Sequence, residues 1–289
     1  MPKFEYFSPK TLEDALGLLA EKGEGTHLMA GGTDVMVKMS HGRLAPKAII
    51  ALQGIEGLNG IRFDPKEGLT IGASARLAEV ASHPDVRSYY PALVNAIQSM
   101  ANVEVRNMGT VAGNICNAAP SADTAPPLMT MGAEVTLVGL KGERRLSLDQ
   151  FFKGPGLTAM EHGEIMTSIH VPIPPAKSGA SYLRISCRCG VDIAAVGVGV
   201  MAEFNGKACK QVGIVLAAVA PVPLRATKTE SIMKGQAWTR ELIEQAGDQA
   251  AEEAKPISDV RASAEWRKRM VAVLTRRALE EAQERATRG

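Results

Sequence analysis

Two stretches of small residues carry most of the chemistry open to this sequence. In the first, Leu28-Met29-Ala30-Gly31-Gly32-Thr33-Asp34-Val35, an apolar strand runs into paired glycines, a hydroxyl and a carboxylate. Such a turn leaves backbone N–H groups exposed and can wrap a phosphate or pyrophosphate with amide dipoles, without a lysine. It can equally be an ordinary Gly-Gly turn in which Asp34 caps the element that follows. The second stretch, Gly109-Thr110-Val111-Ala112-Gly113-Asn114, leads into Ile115-Cys116-Asn117-Ala118-Ala119-Pro120-Ser121-Ala122-Asp123. Small residues over that length let a large flat ligand lie close to the backbone. Thr110, Asn114, Ser121 and Asp123 add hydrogen-bonding groups of little bulk, although an irregular loop held by its own Asn and Asp side chains would read the same way. Together the two stretches favour a large ligand with phosphates and hydroxyls more than either does alone.

Other chemistries find little support. The first turn is not GxGxxG, and no Gly-Lys-Thr or Gly-Lys-Ser follows it, so neither a dinucleotide fingerprint nor a Walker A loop is present. His27, His41, His83, His162 and His170 are dispersed, with no HxH or HExxH, and no serine sits in GxSxG. Cys116, Cys187, Cys189 and Cys209 form no CxxC pair and lack the C-x4-C-x2-C run of a plant-type two-iron cluster. Cys187 and Cys189 have C-x-C spacing, awkward for a redox pair, so packing is the expectation for them. An organic cofactor is therefore the expected carrier of any reaction.

The elements that must position these loops follow from pattern. Thr11 caps a helix from Leu12, with Leu12, Ala15, Leu16 and Leu19 at helical spacing and Gly23 and Gly25 at its end. His27–Ala30, Ala48–Leu52 and Leu69–Ile71 read as strands, and Leu77–Ala81 and Ala92–Ala101 as helices, an alternation of α/β type. Arg106–Asn114 is too rich in Gly and Asn for regular structure. Glu134–Leu140 is a strand paired through Lys141-Gly142 with Arg144–Leu148, and Ile165–Val171 is another, stopped by Pro172, Pro174 and Pro175. Beyond that linker Ser181–Ser186, Ile193–Glu203 and Gln211–Val219 read as consecutive strands, with turns at Asn205-Gly206 and around Gly190. A final helix spans about Ser263 to Ala286. Trp266, Met270, Val273, Leu274 and Ala278 share one face of it, and Arg267, Lys268, Arg269, Arg276 and Arg277 belong to a solvated face.

Composition bounds the function. At ~100–200 residues per domain, 289 residues predict two domains with ample core. A formal net charge of +2 gives no electrostatic case for nucleic acid or an anionic membrane. The longest apolar runs, Ile193–Ala202 and Val212–Leu224, fall short of the ~20 residues of a membrane helix. No apolar stretch follows Met1-Pro2-Lys3, so no secretory signal is expected, and reduced thiols in the cytoplasm are the plain reading of four unpatterned cysteines.

The Ala30–Asp34 turn, and Asn107–Asn114 leading into Ala119-Pro120-Ser121-Ala122-Asp123, resemble the FAD-binding medium subunit of the molybdenum hydroxylases, the family of xanthine dehydrogenase and aerobic carbon monoxide dehydrogenase. Tyr182-Leu183-Arg184, then Arg188, Asp192 and Ala195, and the run Val219–Ala226, continue the likeness along essentially the whole chain. The resemblance implies an α+β protein: a vanillyl-alcohol-oxidase-like (PCMH-type) FAD-binding fold of two α/β subdomains, 1–57 and 58–176, and a C-terminal domain of antiparallel strands and helices, 177–289. It implies that Leu28, Met29, Ala30, Gly31, Gly32, Thr33, Asp34 and Val35 wrap the FAD pyrophosphate. Gly109, Thr110, Val111, Ala112, Gly113 and Asn114 would approach the cofactor from the second subdomain, and Asp123 would bind hydroxyls or the adenosine side. Ile165 and Met166 would line it, Arg184 stands where the family often has a cofactor-contacting lysine, and Met100, Ala101 and Cys116 would lie near. Ala112 departs from the family's usual glycine, and Arg184 from lysine.

The implied function is electron transfer. Substrate is oxidised at a molybdenum cofactor on a large subunit, and electrons pass through 2Fe-2S clusters on a small subunit to FAD here, then to NAD+, oxygen or quinone. A dimer of heterotrimers is the implied assembly, with no metal site or proton-transfer residue on this chain. The competing readings are a stand-alone FAD oxidoreductase of the same fold, which needs a base near the flavin, and a cofactor-free scaffold subunit.

Overall fold

The computed structural model describes residues 3–188 and 191–288; Met1, Pro2, Cys189 and the expected turn at Gly190 lie outside the described residues. Near the N-terminus a three-stranded parallel sheet places Ala48–Ala51 between Glu5–Phe7 and Thr26–Met29. Parallel neighbours need crossovers, and the helix Leu12–Lys22 supplies the first. Thr11 caps it by accepting from the Asp14 N–H (3.1 Å), and Gly23, at φ +61°, ends it. Its Ala15, Leu16 and Leu19 pack in one cluster with Ile50 and Leu52. Because both faces of the middle strand are covered, all four of its residues are buried, and it reads as a continuous apolar run.

The central sheet is antiparallel, in the order Ile61–Asp64, Gly68–Gly72, Ile165–Pro172, Glu134–Gly139, Gly142–Ser147. The expected hairpin through Lys141-Gly142 is its outer edge. Between Gly72 and Glu134 the chain leaves the sheet for a run of short helices. Two of them, Val103–Met108 and Val111–Cys116, occupy the stretch expected to be irregular. The cause is capping: the Asn102 side chain accepts from the Val105 N–H (2.9 Å) and Thr110 Oγ1 from the Gly113 N–H (2.9 Å). The polar small residues that suggested a coil are in part caps of two single helical turns separated by Gly109.

The C-terminal sheet is an antiparallel meander of Ser178–Ile185, Val196–Asn205, Ala208–Ala217 and the short Leu224–Arg225, covered by Arg240–Glu253 and Ala264–Arg288. The buried helix Ala125–Thr130 joins it to the central sheet. Gly199 and Gly213 lack side chains where Pro126 and Thr130 press in; a Cβ on Gly199 would sit 2.8 Å from the Pro126 Cβ. Among the described residues no helix is long and apolar enough to cross a membrane.

The last helix departs from its expected face. Leu274 and Ala278 are buried as expected, but Val271, Leu279 and Ala282 complete the buried stripe, while Trp266, Met270 and Val273 are only half-buried. Arg267 is not solvated: it is 1% exposed. Its Nη1 donates to the carbonyls of Ala195 (3.1 Å) and Ala218 (2.9 Å), and its Nη2 to Asp259 (2.7 Å). The two carbonyls, one of them on a residue at φ +63°, have turned away from the sheet ladder and need a donor with a planar fork. Lys268, Arg269 and Arg277 are exposed as expected, and Arg276 pairs with Asp248. Arg267→Met strands both carbonyls and leaves Asp259 with Arg261 alone, so urea unfolding should show a loss of about 1–3 kcal/mol; unchanged stability would mean water replaces the guanidinium.

Candidate functional site

A cleft of about 750 Å³ opens where the three sheets meet. The N-terminal sheet contributes its wall through the turn after Thr26–Met29. Gly31 is buried there because backbone meets backbone: a Cβ would overlap the Met108 carbonyl oxygen and lie 2.6 Å from the Gly109 Cα. Gly32 follows at φ +73°, a conformation that favours glycine. Among the described residues the N–H groups of Gly31, Gly32, Thr33 and Asp34 donate to no group of the protein. Capping of Val111–Cys116 by Thr110 consumes the Gly113 amide, while that of Ala112, on the cleft wall, has no protein acceptor. Cleft amides without protein acceptors suit an anionic ligand, the pyrophosphate of a dinucleotide included.

Asp34 is not a local cap. Its carboxylate accepts from Asn117 Nδ2 (3.1 Å), and Asn117 Oδ1 accepts from Lys38 Nζ (2.7 Å). This chain of contacts ties the glycine turn to the end of the helix Val111–Cys116. Nearby, Ala101 at φ +52° forms a corner held by Arg106, whose Nη1 donates to the carbonyls of Met100 (2.8 Å) and Ala101 (2.9 Å). Thr124 donates to Asn114 Oδ1 (2.6 Å), which orients that amide on the cleft wall.

Cys116 lies against the sulfurs of Met160 (3.8 Å) and Met166 (3.7 Å), and burial pushes its thiol up to about 12. A neutral thiol in that setting is an apolar contact surface, not a nucleophile. Asp123, at the cleft floor, has both oxygens engaged: Tyr182 donates to Oδ1 (2.6 Å) and Arg184 to Oδ2 (3.3 Å). Burial pushes its carboxyl up, opposed by the Arg184 charge and the Tyr182 hydroxyl. His27 is pushed down by burial and by Lys38.

Of the residues expected at the site, Leu28, Ala30–Val35, Met100, Ala101, Gly109, Thr110, Ala112–Asn114, Cys116, Asp123 and Met166 line this cleft. Four do not. The Met29 side chain packs behind Gly32, and Val111 is fully buried under its helix turn. Ile165 belongs to the N-terminal core, since consecutive strand residues face opposite sides of the sheet and its neighbour Met166 takes the cleft side. Arg184 lies beneath the cleft on Asp123. Lys38, Asn117 and Met160 line the cleft without having been expected there. Lys38 stands four residues after Asp34, a spacing that becomes readable once the helix Val35–Ser40 is known; Met160 carries no local signal. Cys187 is exposed instead of packed, its Sγ on the Arg261 carbonyl (2.7 Å).

Residues 2–174 match the family model described as "FAD binding domain in molybdopterin dehydrogenase", and residues 181–282 that of the "CO dehydrogenase flavoprotein C-terminal domain". The chain belongs to the FAD-binding medium subunits of the molybdenum hydroxylases. It is 32% identical over 280 residues to the carbon monoxide dehydrogenase medium chain of Hydrogenophaga pseudoflava, covering 96% of each chain. It is 28% identical over 278 residues to the xanthine dehydrogenase FAD-binding subunit of Escherichia coli O157:H7, with 96% of this chain and 95% of that one covered. Its fold matches a chain in the structure of carbon monoxide dehydrogenase from Hydrogenophaga pseudoflava at a TM-score of 0.95 over 98% of both chains, with 32% identity. The fold is thus the PCMH-type FAD-binding fold with its C-terminal domain, and the chain is an oxidoreductase subunit. Ala112, where the resemblance implies a glycine, is helical with no positive φ, so its methyl group is accommodated without backbone strain.

The contact at Gly31 generates a prediction of opposite signs. Gly31→Ala drives a methyl into the Met108–Gly109 backbone and should cost about 1–3 kcal/mol in thermal or urea unfolding. The same change at Gly17, mid-helix with open space around it, should stabilise by about 0.5–1 kcal/mol. Equal effects at both positions would refute the close approach.

Proposed function

We propose that this chain is the FAD-carrying electron-transfer subunit of a multi-subunit molybdenum dehydrogenase. One observation carries the reading: unpaired amides at Gly31–Asp34 stand in a cleft whose every carboxylate is already engaged. Asp34 is held by Asn117, Asp123 by Tyr182 and Arg184, and Asp192 by the N–H groups of Arg188 and Ile193. No histidine is among the cleft's lining residues. A site with dipoles for an anion and no free base supports electron transfer over a stand-alone oxidase, which would need a proton acceptor beside its substrate.

In this reading Gly31–Val35 hold the pyrophosphate through amides, Thr33, Thr110 and Asn114 meet hydroxyls, and Leu28, Met160 and Met166 supply apolar contact. Bound there, FAD supplies redox chemistry between 2Fe-2S clusters of a small subunit and an external acceptor, NAD+, oxygen or quinone. A large subunit carries the molybdenum cofactor and decides the substrate. The assembly is a dimer of heterotrimers in the cytoplasm, with this chain divided into 1–57, 58–176 and 177–289. The free thiols of Cys116, Cys187 and Cys209 suit a reducing compartment.

The purified chain should take up FAD and show the flavin's visible absorption. Gly32→Glu, which puts bulk and negative charge at φ +73° beside the unpaired amides, should abolish retention while the circular dichroism stays native. Normal FAD content in that variant would contradict the assignment of the turn. From its own host the chain should copurify with a large molybdenum subunit and an iron–sulfur subunit. A homogeneous lone flavoprotein that turns over substrate would sink the electron-relay reading.

A further inference from the structure

The Arg184 side chain, 8% exposed, reaches three segments of the cleft from below. Its Nη1 donates to the Ser99 carbonyl (2.8 Å), just before the Met100–Ala101 corner, and to Asp123 Oδ2 (3.3 Å); its Nη2 donates to the Asp192 carbonyl (2.5 Å). Tyr182 lies two residues earlier on the same strand and so on the same face. Its hydroxyl takes the other Asp123 oxygen. One strand of the C-terminal sheet therefore grips both oxygens of a buried carboxylate that lines the cleft. An ionised carboxylate offers about four lone-pair sites, so acceptor capacity remains for a ligand.

We propose that Arg184 is a positioning residue that holds Asp123 as a fixed anionic hydrogen-bond acceptor for N–H or O–H groups of the bound flavin nucleotide. The inference rests on the FAD reading above and replaces the expected direct contact of Arg184 with the cofactor. Arg184 and Tyr182 are the titratable groups that touch Asp123. Elsewhere on the cleft wall Arg188 pairs with Asp192, and Lys38 and Asp34 both bind Asn117. Burial raises the Asp123 carboxyl, and the Arg184 charge is the larger of the two influences opposing it. Burial also keeps the Tyr182 hydroxyl well above its ordinary range, so it stays a donor. Without Arg184, Asp123 takes up a proton at a higher pH than in the native chain. The neutral acid presents a donor where the ligand needs an acceptor. Retention of FAD then weakens as pH falls through that raised value and recovers as pH rises.

The test is FAD affinity of the full chain, read by flavin fluorescence across the mildly acidic to mildly alkaline range, for the native protein, Arg184→Met, Arg184→Lys and Tyr182→Phe. Native affinity should stay level. Arg184→Met should weaken on the order of tenfold more at the acidic end than at the alkaline end, the size of one charged hydrogen bond. Arg184→Lys keeps the charge and should restore the level profile, and Tyr182→Phe should weaken binding without a steep pH dependence. Loss by one factor at every pH in Arg184→Met would make Arg184 a structural staple and overturn the proposal, as would native affinity throughout. If Arg184→Met does not fold, a pH-dependent loss in Arg184→Lys as steep as that expected for Met overturns it, and a level profile supports it. A native chain that takes up no FAD would instead overturn the flavoprotein reading and this inference with it.

Discussion

Everything at the site depends on one backbone-to-backbone contact, the approach of Gly31 to Met108 and Gly109. The two segments lie so close that the glycine turn has no room for a side chain at the point of contact. That proximity brings the unpaired amides of the glycine turn to the end of a cleft also walled by Thr110, Ala112 and Gly113. It also explains why paired carboxylate, amide and ammonium groups run from Asp34 through Asn117 to Lys38: polar side chains lock the same two loops one helical turn away. A ligand spanning the cleft would touch both loops, so its affinity depends on their relative placement.

The C-terminal sheet completes the arrangement. It meets the central sheet through the helix Ala125–Thr130, where Gly199 and Gly213 give up side chains to let Pro126 and Thr130 in. Around that contact the hydrogen bonds converge on the cleft floor. The Ala218 N–H donates to the Pro120 carbonyl (2.7 Å), and Tyr182 and Arg184 hold Asp123. Arg267 secures the far side of the same region through Ala195 and Ala218. A buried arginine in such a place fixes geometry, while its desolvation offsets much of the attraction it gains.

Strands and long helices were legible because each has one periodicity and clear ends. Thr11 and Gly23 bracket the first helix, Ala48–Leu52 is apolar throughout, and the Lys141-Gly142 turn sets its hairpin. The second small-residue stretch is legible as chemistry but reads as coil, because Asn102 and Thr110 are cap residues whose role appears only when a helical turn follows them. Arg267 was misplaced for a different reason. On a helix dense with Arg and Glu, nothing local distinguishes a buried cation whose partners include carbonyls some 50 to 70 residues earlier, at Ala218 and Ala195. Ile165 and Met166 are consecutive in one strand, so their side chains face opposite sides of the sheet and only Met166 meets the cleft.

By itself the sequence determined most strands, the longer helices, the likeness to the family and the two glycine-rich stretches, since these are written in short-range spacing of residue types. Only the tertiary structure decided that Asp34 accepts from Asn117, that Lys38 and Met160 enter the cleft, and that Arg184 contacts Asp123 from beneath. Those partners are separated by tens of residues, and which of them meet is settled by how three sheets pack, an outcome that local spacing does not encode.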